Sequence, residues 1–340
     1  MWPKDTFGII KQNIEKHKGL VDREVKIQMI KESREERYEA LKKHQEERDF
    51  RELDRLERNI PPQDYEPILN NVQSRHCAET GKWIFSDPLF RTWLGVRNDA
   101  KQRLLWLAGI PGAGNLNLAA KIDRVISDLY IGNTFLCYSI LLHLQEMSQA
   151  NESIQILYAF PSDGDTSGNT KAAIIRSLLY QLCRSNPSLI PAVNKEHDAR
   201  YSRSLHSNIC DNLLEKFICS SEPVYIIVDG LDECEMIERK QLLRTILHLS
   251  KTCSNLHVLV ASRKEVDIQQ ALKSNCETLL AEEKNRADIK RFVISEINSL
   301  WRKIKPIANA EPLAGEFLKA VAHNIVNQSE GARSMCRKMS

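Results

Sequence analysis

The sequence predicts an α/β protein in which helices flank a parallel sheet and a long charged helix precedes it. Two observations carry the prediction: short apolar runs recur from Gln102 onward, and amphipathic segments of helical length separate them. Strands buried on both faces read as continuous apolar runs, and their alternation with helices is typical of parallel βαβ units. The predicted strands are RLLWLA (103–108), IQILYAF (154–160), VYIIV (224–228), LHVLVA (256–261) and ETLLA (277–281). The predicted helices are AAIIRSLLYQLC (172–183), NICDNLLEKFIC (208–219), ERKQLLRTILHLSKTC (238–253) and NRADIKRFVISEINSLWRKI (285–304).

The segment from Ile9 to Arg58 carries interleaved charges of both signs and no proline. Its apolar residues recur at three-, four- and seven-residue steps over parts of the segment, which predicts one long helix that ends before Pro61 and Pro62. Two interpretations stay open: a solvated helix that packs on the neighbouring domain, or an oligomerising coiled coil. The apolar stripe is too broken for sustained heptads, which favours the solvated helix.

A mixed linker follows the proline pair, and its segment ETGKWIFSDPLFRTWL (79–94) is rich enough in aromatic residues to form a small docking helix. The chain is therefore predicted to have four parts. They are a charged helical or coiled-coil-like region at 1–60, the linker and docking helix at 61–100, the α/β domain at 101–283 and a C-terminal helical segment at 284–340.

The amino-acid composition excludes several classes of function. Charged residues make up 27% of the 340, yet they cancel to a net charge of +3, so a general basic field for nucleic acid is not expected. The nine cysteines are scattered without a CxxC pair, so structural zinc is not expected either. With no secretory signal pattern, unpaired cysteines predict a reducing, cytoplasmic location. The apolar stretch at 129–144 is shorter than the roughly 20 residues of a membrane helix.

The first predicted strand runs into GIPGAGNLN, which resembles the phosphate-binding pattern G-x-x-x-x-G-K-[ST] between a strand and a helix. Gly109 and Gly114 occupy the two glycine positions, with Pro111 and Gly112 between them. Glycines let the backbone curl so that its N–H groups converge on a phosphate at the helix N-terminus. This part of an anion cradle is predicted to form.

The charged part of the pattern is missing. Asn115 stands where the lysine reaches the β- and γ-phosphates, and Leu116 stands where a hydroxyl holds Mg²⁺. An asparagine amide can donate a hydrogen bond but supplies no positive charge against a polyphosphate. We therefore expect ATP or GTP with Mg²⁺ to bind weakly.

Acidic residues follow the predicted strand VYIIV directly, in the sequence DGLDEC. Asp229 would lie at the carboxyl edge of the sheet, where ligands of open α/β sheets gather, and is the predicted magnesium ligand. Glu233 could orient or deprotonate an attacking water, and Asp232 could assist metal or water placement. The alternative is a solvated acidic turn after a buried strand.

Arg263 follows another apolar strand, in LHVLVASRKEVDI, and should project at the same edge. An arginine there can bind or stabilise a γ-phosphate. Taken alone, Arg263 would be an ordinary exposed charge.

Together these residues resemble fungal NACHT-type proteins of the STAND class of signal-transducing P-loop ATPases, whose module is described as a nephrocystin-3-like N-terminal domain. The resemblance covers roughly residues 60–330 and depends on the order of six segments: ETGKWIFSDPLFRTWL, LLWLAGIPGAGN, IRSLLYQLC, VYIIVDGLDEC, VLVASRKEVDI and LAEEKNRADIKRFVISEI. It implies a P-loop NTPase-like sheet and an ATP- or GTP-gated switch. It also implies a helical or effector region before the switch and ankyrin or WD repeats after it.

The chain departs from that family in three ways. The Lys-[ST] pair is Asn115-Leu116. About forty residues separate Gly114 from Ile154, so 124–142 is interpreted as an insertion outside the α/β core. The last residues, SEGARSMCRKMS, stop where the family continues with an apolar helix, which is interpreted as truncation.

Three functions stay open: a signalling or scaffold module with little or no hydrolysis, an active ATP- or GTP-dependent switch, and an inactive gene fragment. Phosphoryl transfer depends mainly on positioning and electrostatics, so the altered loop argues against the active switch. Protein partners are expected through the N-terminal helix or through C-terminal repeats that the chain lacks, with a homo-oligomer as one alternative. No nucleic acid or membrane partner is expected.

Overall fold

The structure is a computed structural model that describes residues 4–75, 81–95, 99–109, 133–150, 153–162, 164–198 and 206–281. The chain divides into two compact units, Met1–Leu56 and Glu57–Ser340.

The first helix, α1, runs without interruption over Lys4–Asn59. It ends just before Pro61 and Pro62, which lack the N–H that would continue the helical hydrogen bonds. Side chains four residues apart link along its surface, as in Lys42–Glu46 at 3.9 Å. The predicted long charged helix is confirmed.

Five strands form one sheet in which every pairing is parallel, in the order β2-β3-β4-β1-β5. The strands are β1 (Leu104–Gly109), β2 (Gln155–Ala159), β3 (Val224–Asp229), β4 (Leu256–Arg263) and β5 (Glu277–Leu280). All residues of β1 and β3 are buried, as their unbroken apolar sequences predict. The predicted parallel sheet is confirmed.

Helices connect and cover the strands. They are α2 (Glu66–Arg75), α3 (Pro88–Leu94), α4 (Asn133–Gln149), α5 (Lys171–Ser185), α6 (Ile190–Asp198), α7 (Ser207–Cys219), α8 (Met236–Thr252) and α9 (Val266–Leu272). Short 3₁₀ turns occur at Lys82–Ser86, Pro187–Leu189 and Leu231–Glu233. The predicted helix at 285–304 lies outside the described residues.

The predicted docking helix is α3, and hydrogen bonds fix it to the sheet. Trp93 Nε1 donates to the carbonyl of Val258 at 3.0 Å, and the ring Nδ1 of His257 lies 2.7 Å from the carbonyl of Trp93. The Tyr225 hydroxyl donates to the carbonyl of Leu94 at 2.9 Å. Because Tyr225 belongs to β3 and both His257 and Val258 belong to β4, these hydrogen bonds fix α3 to both strands.

Helix α4 corrects the interpretation of 124–142 as an insertion outside the core. Its buried residues are Phe135, Leu136, Cys137, Tyr138, Ser139, Ile140, Leu141 and Leu144, and it packs against β1, β2, β3 and β4. A helix with so many buried positions belongs to the core, so the interpretation is wrong for 133–142. The remainder, 124–132, lies outside the described residues.

No described helix combines the length and the apolar character that crossing a membrane would require.

Two of the described cysteines are paired, because Cys219 and Cys253 form a disulfide across 34 residues of sequence. Their helices, α7 and α8, end just before β3 and β4, and those strands are neighbours that begin with Val224 opposite Leu256. The sheet order brings the pair together, and linear spacing could not reveal it.

Candidate functional site

The carboxyl ends of β1, β3 and β4 lie side by side at one edge of the sheet. Gly109 is opposite Arg263, and Asp229 is opposite Ala261. Of the predicted site residues, the structure brings together Gly109, Asp229, Asp232, Glu233 and Arg263 at this edge. Five others lie outside the described residues: Pro111, Gly112, Gly114, Asn115 and Leu116.

The first residue of α4, Asn133, sits against the end of β1. Its side-chain nitrogen donates to the carbonyls of Leu107 and Ser262, each at 3.3 Å, and so joins β1 to β4. A Cβ atom on Gly109 would lie 2.7 Å from that nitrogen. Glycine at 109 therefore allows the close approach of α4.

Asp229 is buried, with 5% of its surface exposed, beside the first turn of α4. The hydroxyl of Thr134 and the thiol of Cys137 lie near its carboxylate, whereas the backbone N–H of Gly230 donates to the carbonyl of Ala261 at 3.1 Å. Burial raises the pKa of Asp229 to about 7, the nearby Thr134 hydroxyl opposes that rise, and the charge of Asp232 adds to it. The carboxylate thus lies beside neutral polar groups in an environment that favours a proton or a cation.

The acidic turn after β3 is paired with Arg263. The side-chain Nε of Arg263 lies 3.3 Å from Oδ2 of Asp232, and Nη2 lies 3.3 Å from Oε1 of Glu233. The backbone N–H of Arg263 donates to Oδ1 of Asp232 at 3.0 Å. The side chain of Asp232 is only 7% exposed and that of Arg263 is 50% exposed, so the arginine covers the turn from the solvent side.

Two residues of the loop after β2, Pro161 and Asn169, contact this turn. Gly230 has a φ of +84°, and a Cβ atom there would lie 2.5 Å from the carbonyl oxygen of Pro161. Asn169 exchanges hydrogen bonds with the backbone of Ser162, and its side-chain nitrogen donates to the carbonyl of Glu233 at 3.2 Å. The β2 loop is therefore tied to the acidic turn.

A second arginine supports the turn from α8. Arg239 makes a two-point ion pair with Asp267 at 2.7 and 2.6 Å, and this pair lowers the pKa of Asp267. Its Nη1 also donates to the carbonyl of Asp232 at 3.3 Å. Asn169 and Arg239 act through the backbone of the turn, which is why no motif in the sequence pointed to them.

The oxygen atoms around Asp229 suit Mg²⁺ better than a metal that needs several protein ligands. Within the described ranges, no group of three or more His, Cys, Asp or Glu side chains could hold a metal ion. Mg²⁺ does not require such a group, because it keeps several waters and binds through one or two carboxylates together with phosphate oxygens. A buried carboxylate, Asp229, next to a hydroxyl, Thr134, fits that pattern of oxygen ligands.

Sequence reasoning missed Asn133 and Thr134. The available signal was the segment GNTFLCYSILLHL, in which a glycine, one polar residue and a threonine open an apolar helix. That order matches the end of the phosphate-binding pattern, with asparagine in the place of lysine. The segment was overlooked because the six-residue glycine pattern ends at Gly114, well before it.

The chain was compared with known proteins. A sequence model of the family described as "Nephrocystin 3, N-terminal" matches residues 79–263, which is more than half of the chain. The chain is also 26% identical over 252 residues to vegetative incompatibility protein HET-E-1 of Podospora anserina; the match covers 71% of this chain and 17% of that protein.

Among solved structures, a chain from the structure of C. elegans PCH-2 matches at 14% sequence identity with a TM-score of 0.25. That match covers 73% of this chain and 52% of the other. A TM-score this low supports no inference about the present chain.

Proposed function

The chain belongs to the nephrocystin-3 N-terminal family of NACHT-type proteins, and on that premise we propose that it is a nucleotide-binding signalling or scaffold module with little or no hydrolysis. One observation carries the proposal: α4 begins with Asn133-Thr134 at the end of β1, which puts the Thr134 hydroxyl near the buried carboxylate of Asp229. In this proposal Thr134 and Asp229 supply the hydroxyl and the carboxylate of a phosphate and magnesium site. Asn133 takes the place of the lysine.

We propose that Thr134 and Asp229 would hold Mg²⁺ and that Gly109 and residues 110–114 would hold the phosphates. A bound Mg²⁺ would neutralise phosphate charge and polarise the phosphate oxygens. This assignment replaces Leu116 by Thr134 as the hydroxyl position and Asn115 by Asn133 as the lysine position. Its support is the nearness of Thr134 to Asp229 and the position of Asn133 against Gly109.

Little or no hydrolysis is proposed because the described residues of the site supply little free positive charge. The amide of Asn133 is neutral, and it already donates to two backbone carbonyls. Arg263 is shared between the carboxylates of Asp232 and Glu233, so a phosphate would have to compete with two anions for it. Phosphoryl transfer depends on such charge stabilisation. A phosphate-release assay should detect no ATP or GTP turnover; turnover that Glu233→Gln removes would favour the active switch.

Titration of fluorescent ADP and ATP, with and without Mg²⁺, tests the binding part. We expect weak binding that Mg²⁺ strengthens, and we expect Thr134→Val to remove the Mg²⁺ effect. Thr252→Val is the matched control, because Thr252 is an exposed threonine at the end of α8. If no nucleotide binds under either condition, the inactive-fragment alternative is favoured. If Thr134→Val leaves the Mg²⁺ effect intact, the assignment of Thr134 is wrong.

Protein partners are proposed to bind α1. Seven of its apolar side chains are more than half exposed, and Ile27, Ile30, Tyr38 and Leu41 are among them. Residues 27 and 38, like residues 30 and 41, are eleven positions apart, which keeps them on one side of a straight helix. Light scattering of the full chain and of Leu41→Glu would test self-association, and a mass unchanged by the substitution would argue against a second copy at this surface.

A further inference from the structure

The described cysteines fall into two groups. Cys137, Cys183, Cys210, Cys234 and Cys276 are buried and unpaired. Burial raises the pKa of each of them, to about 12 for Cys183 and to about 11 for Cys210. Because the thiolate is the reactive form, these five thiols are unreactive at neutral pH.

The second group is the pair Cys219–Cys253. Cys219 is the last residue of α7 and is exposed, whereas Cys253 follows α8 and is buried. Their Cα atoms are 4.8 Å apart. Exposed disulfides are the ones that exchange readily with small thiols. Among the cysteines that the structure describes, this pair alone combines a partner with access from solvent.

The two helix ends are also held together without the disulfide. The side-chain nitrogen of Asn255 donates to three carbonyls at the end of α7: Ile218 at 2.7 Å, Ser221 at 2.9 Å and Glu222 at 3.3 Å. His248 of α8 lies 3.2 Å from the carboxylate of Glu215 on α7. These contacts would keep the two thiols close after reduction, so the bond can form again.

We propose that Cys219 and Cys253 are a reversible thiol–disulfide exchange site for low-molecular-weight disulfides of the glutathione class. In the forward reaction the Cys219 thiolate attacks the small disulfide, forms a mixed disulfide and releases one small thiol. The Cys253 thiolate then attacks Cys219 and releases the second small thiol. The two protein thiols lose two electrons and two protons in total, and the small disulfide gains them.

The crosslink connects α7 to α8, and of these two helices α8 carries a support of the candidate site near its other end. Near the start of α7, Asp211 pairs with Lys171, and near the start of α8, Arg239 donates to the backbone of Asp232. A covalent bond at the far ends restrains both helices relative to each other. Oxidation is therefore expected to stabilise the α7–α8 pair without touching the site itself.

The test uses the full chain with Cys77→Ser and Cys336→Ser, because those two cysteines lie outside the described residues. The native protein is equilibrated in glutathione buffers of increasing oxidised fraction, quenched with acid, alkylated and analysed by mass spectrometry. We expect the 219–253 crosslink to rise from absent to nearly complete and to disappear when the buffer is returned to reduced glutathione. The crosslinked form should melt roughly 5–15 °C above the reduced form, given a closed loop of 34 residues.

Asn255→Ala keeps both cysteines but loosens the end of α7. The buffer in which half of this variant is crosslinked should be more oxidised than the corresponding buffer for the native pair. Cys219→Ser and Cys253→Ser should each abolish the crosslink while the chain still melts cooperatively. The proposal is overturned if the oxidised buffer yields no 219–253 crosslink, or only a mixed disulfide at Cys219. A crosslink that persists in reduced glutathione would also overturn it, because the bond would then be a permanent one.

Discussion

The turn after β3 and the first turn of α4 both adjoin Asp229, yet they are held in place by different contacts. Side-chain hydrogen bonds and ion pairs from Asn169, Arg239 and Arg263 hold the turn. Burial of apolar side chains such as Leu136 and Ile140, together with the two hydrogen bonds of Asn133, holds α4. The comparison teaches that the acidic half of the site depends on charge and the α4 half depends on packing, so the two halves should respond to different perturbations.

Removing packing from α4 should have the largest effect. Leu136 is fully buried, and Leu136→Ala removes apolar contacts and leaves a cavity, so we expect a loss of about 2–5 kcal/mol in the free energy of unfolding. Leu41→Ala on α1 is the matched control, because that side chain is 70% exposed, and should change stability by at most about 0.5 kcal/mol. Urea unfolding measures both. Equal effects would mean that α4 does not pack in the core.

The buried carboxylate between the two halves should make stability depend on pH. The pKa of Asp229 is about 7 in the folded chain and lower in the unfolded chain, so the folded state binds the proton more tightly. Its contribution is fully present at low pH and is lost as the pH rises from about 4 to about 7, by about 1.4 kcal/mol for each pH unit. We expect the free energies of unfolding of the native chain and of Asp229→Asn, measured against pH in buffers with a chelator, to differ by this slope. Parallel curves for the two proteins would contradict the prediction.

Substitution of one glycine beside each half of the site compares the stability of the two halves directly. Gly230→Ala places a side chain on a left-handed backbone and against the Pro161 carbonyl, which should cost about 1–3 kcal/mol. Gly109→Ala meets only the side chain of Asn133, which can rotate away, so the loss should be smaller. Thermal unfolding of the two variants gives the order. A larger loss for Gly109→Ala would show that the start of α4 is the more rigid half.

Restoring charge should change nucleotide binding and leave the stability of both halves almost unchanged. Asn133→Lys returns an ammonium next to Thr134, and one charge-assisted contact contributes about 1.5–3 kcal/mol. We expect Mg-ATP to bind at least about tenfold more tightly. Asn115→Lys is the matched control and should give less. Isothermal titration compares the two, and a greater gain from Asn115→Lys would return the lysine position to residue 115.

The sequence predicted the five strands well because each contains a short apolar run, and it predicted the acidic turn because Asp229, Asp232 and Glu233 directly follow such a run. It failed at α4 for a physical reason. Asn133 meets Gly109 and Thr134 approaches Asp229 only through folding, and the 23 residues from 110 to 132 separate both from Gly109 in the chain. Asn169, Arg239 and the pair Cys219–Cys253 were also missed, since each depends on which strands are neighbours in the sheet.

The position of β1 within the sheet also has a consequence for synthesis on the ribosome. Its two neighbours, β4 and β5, are the last strands of the described chain, so Leu104–Gly109 cannot pair until residue 263 has emerged. At about 5–20 residues per second, that interval is roughly 10–30 s. Throughout it, the apolar segment LLWLAG has two unpaired edges, which invites pairing with other nascent chains. Among the described strands, the order of the sheet thus makes β1 the one that waits longest for its first neighbour.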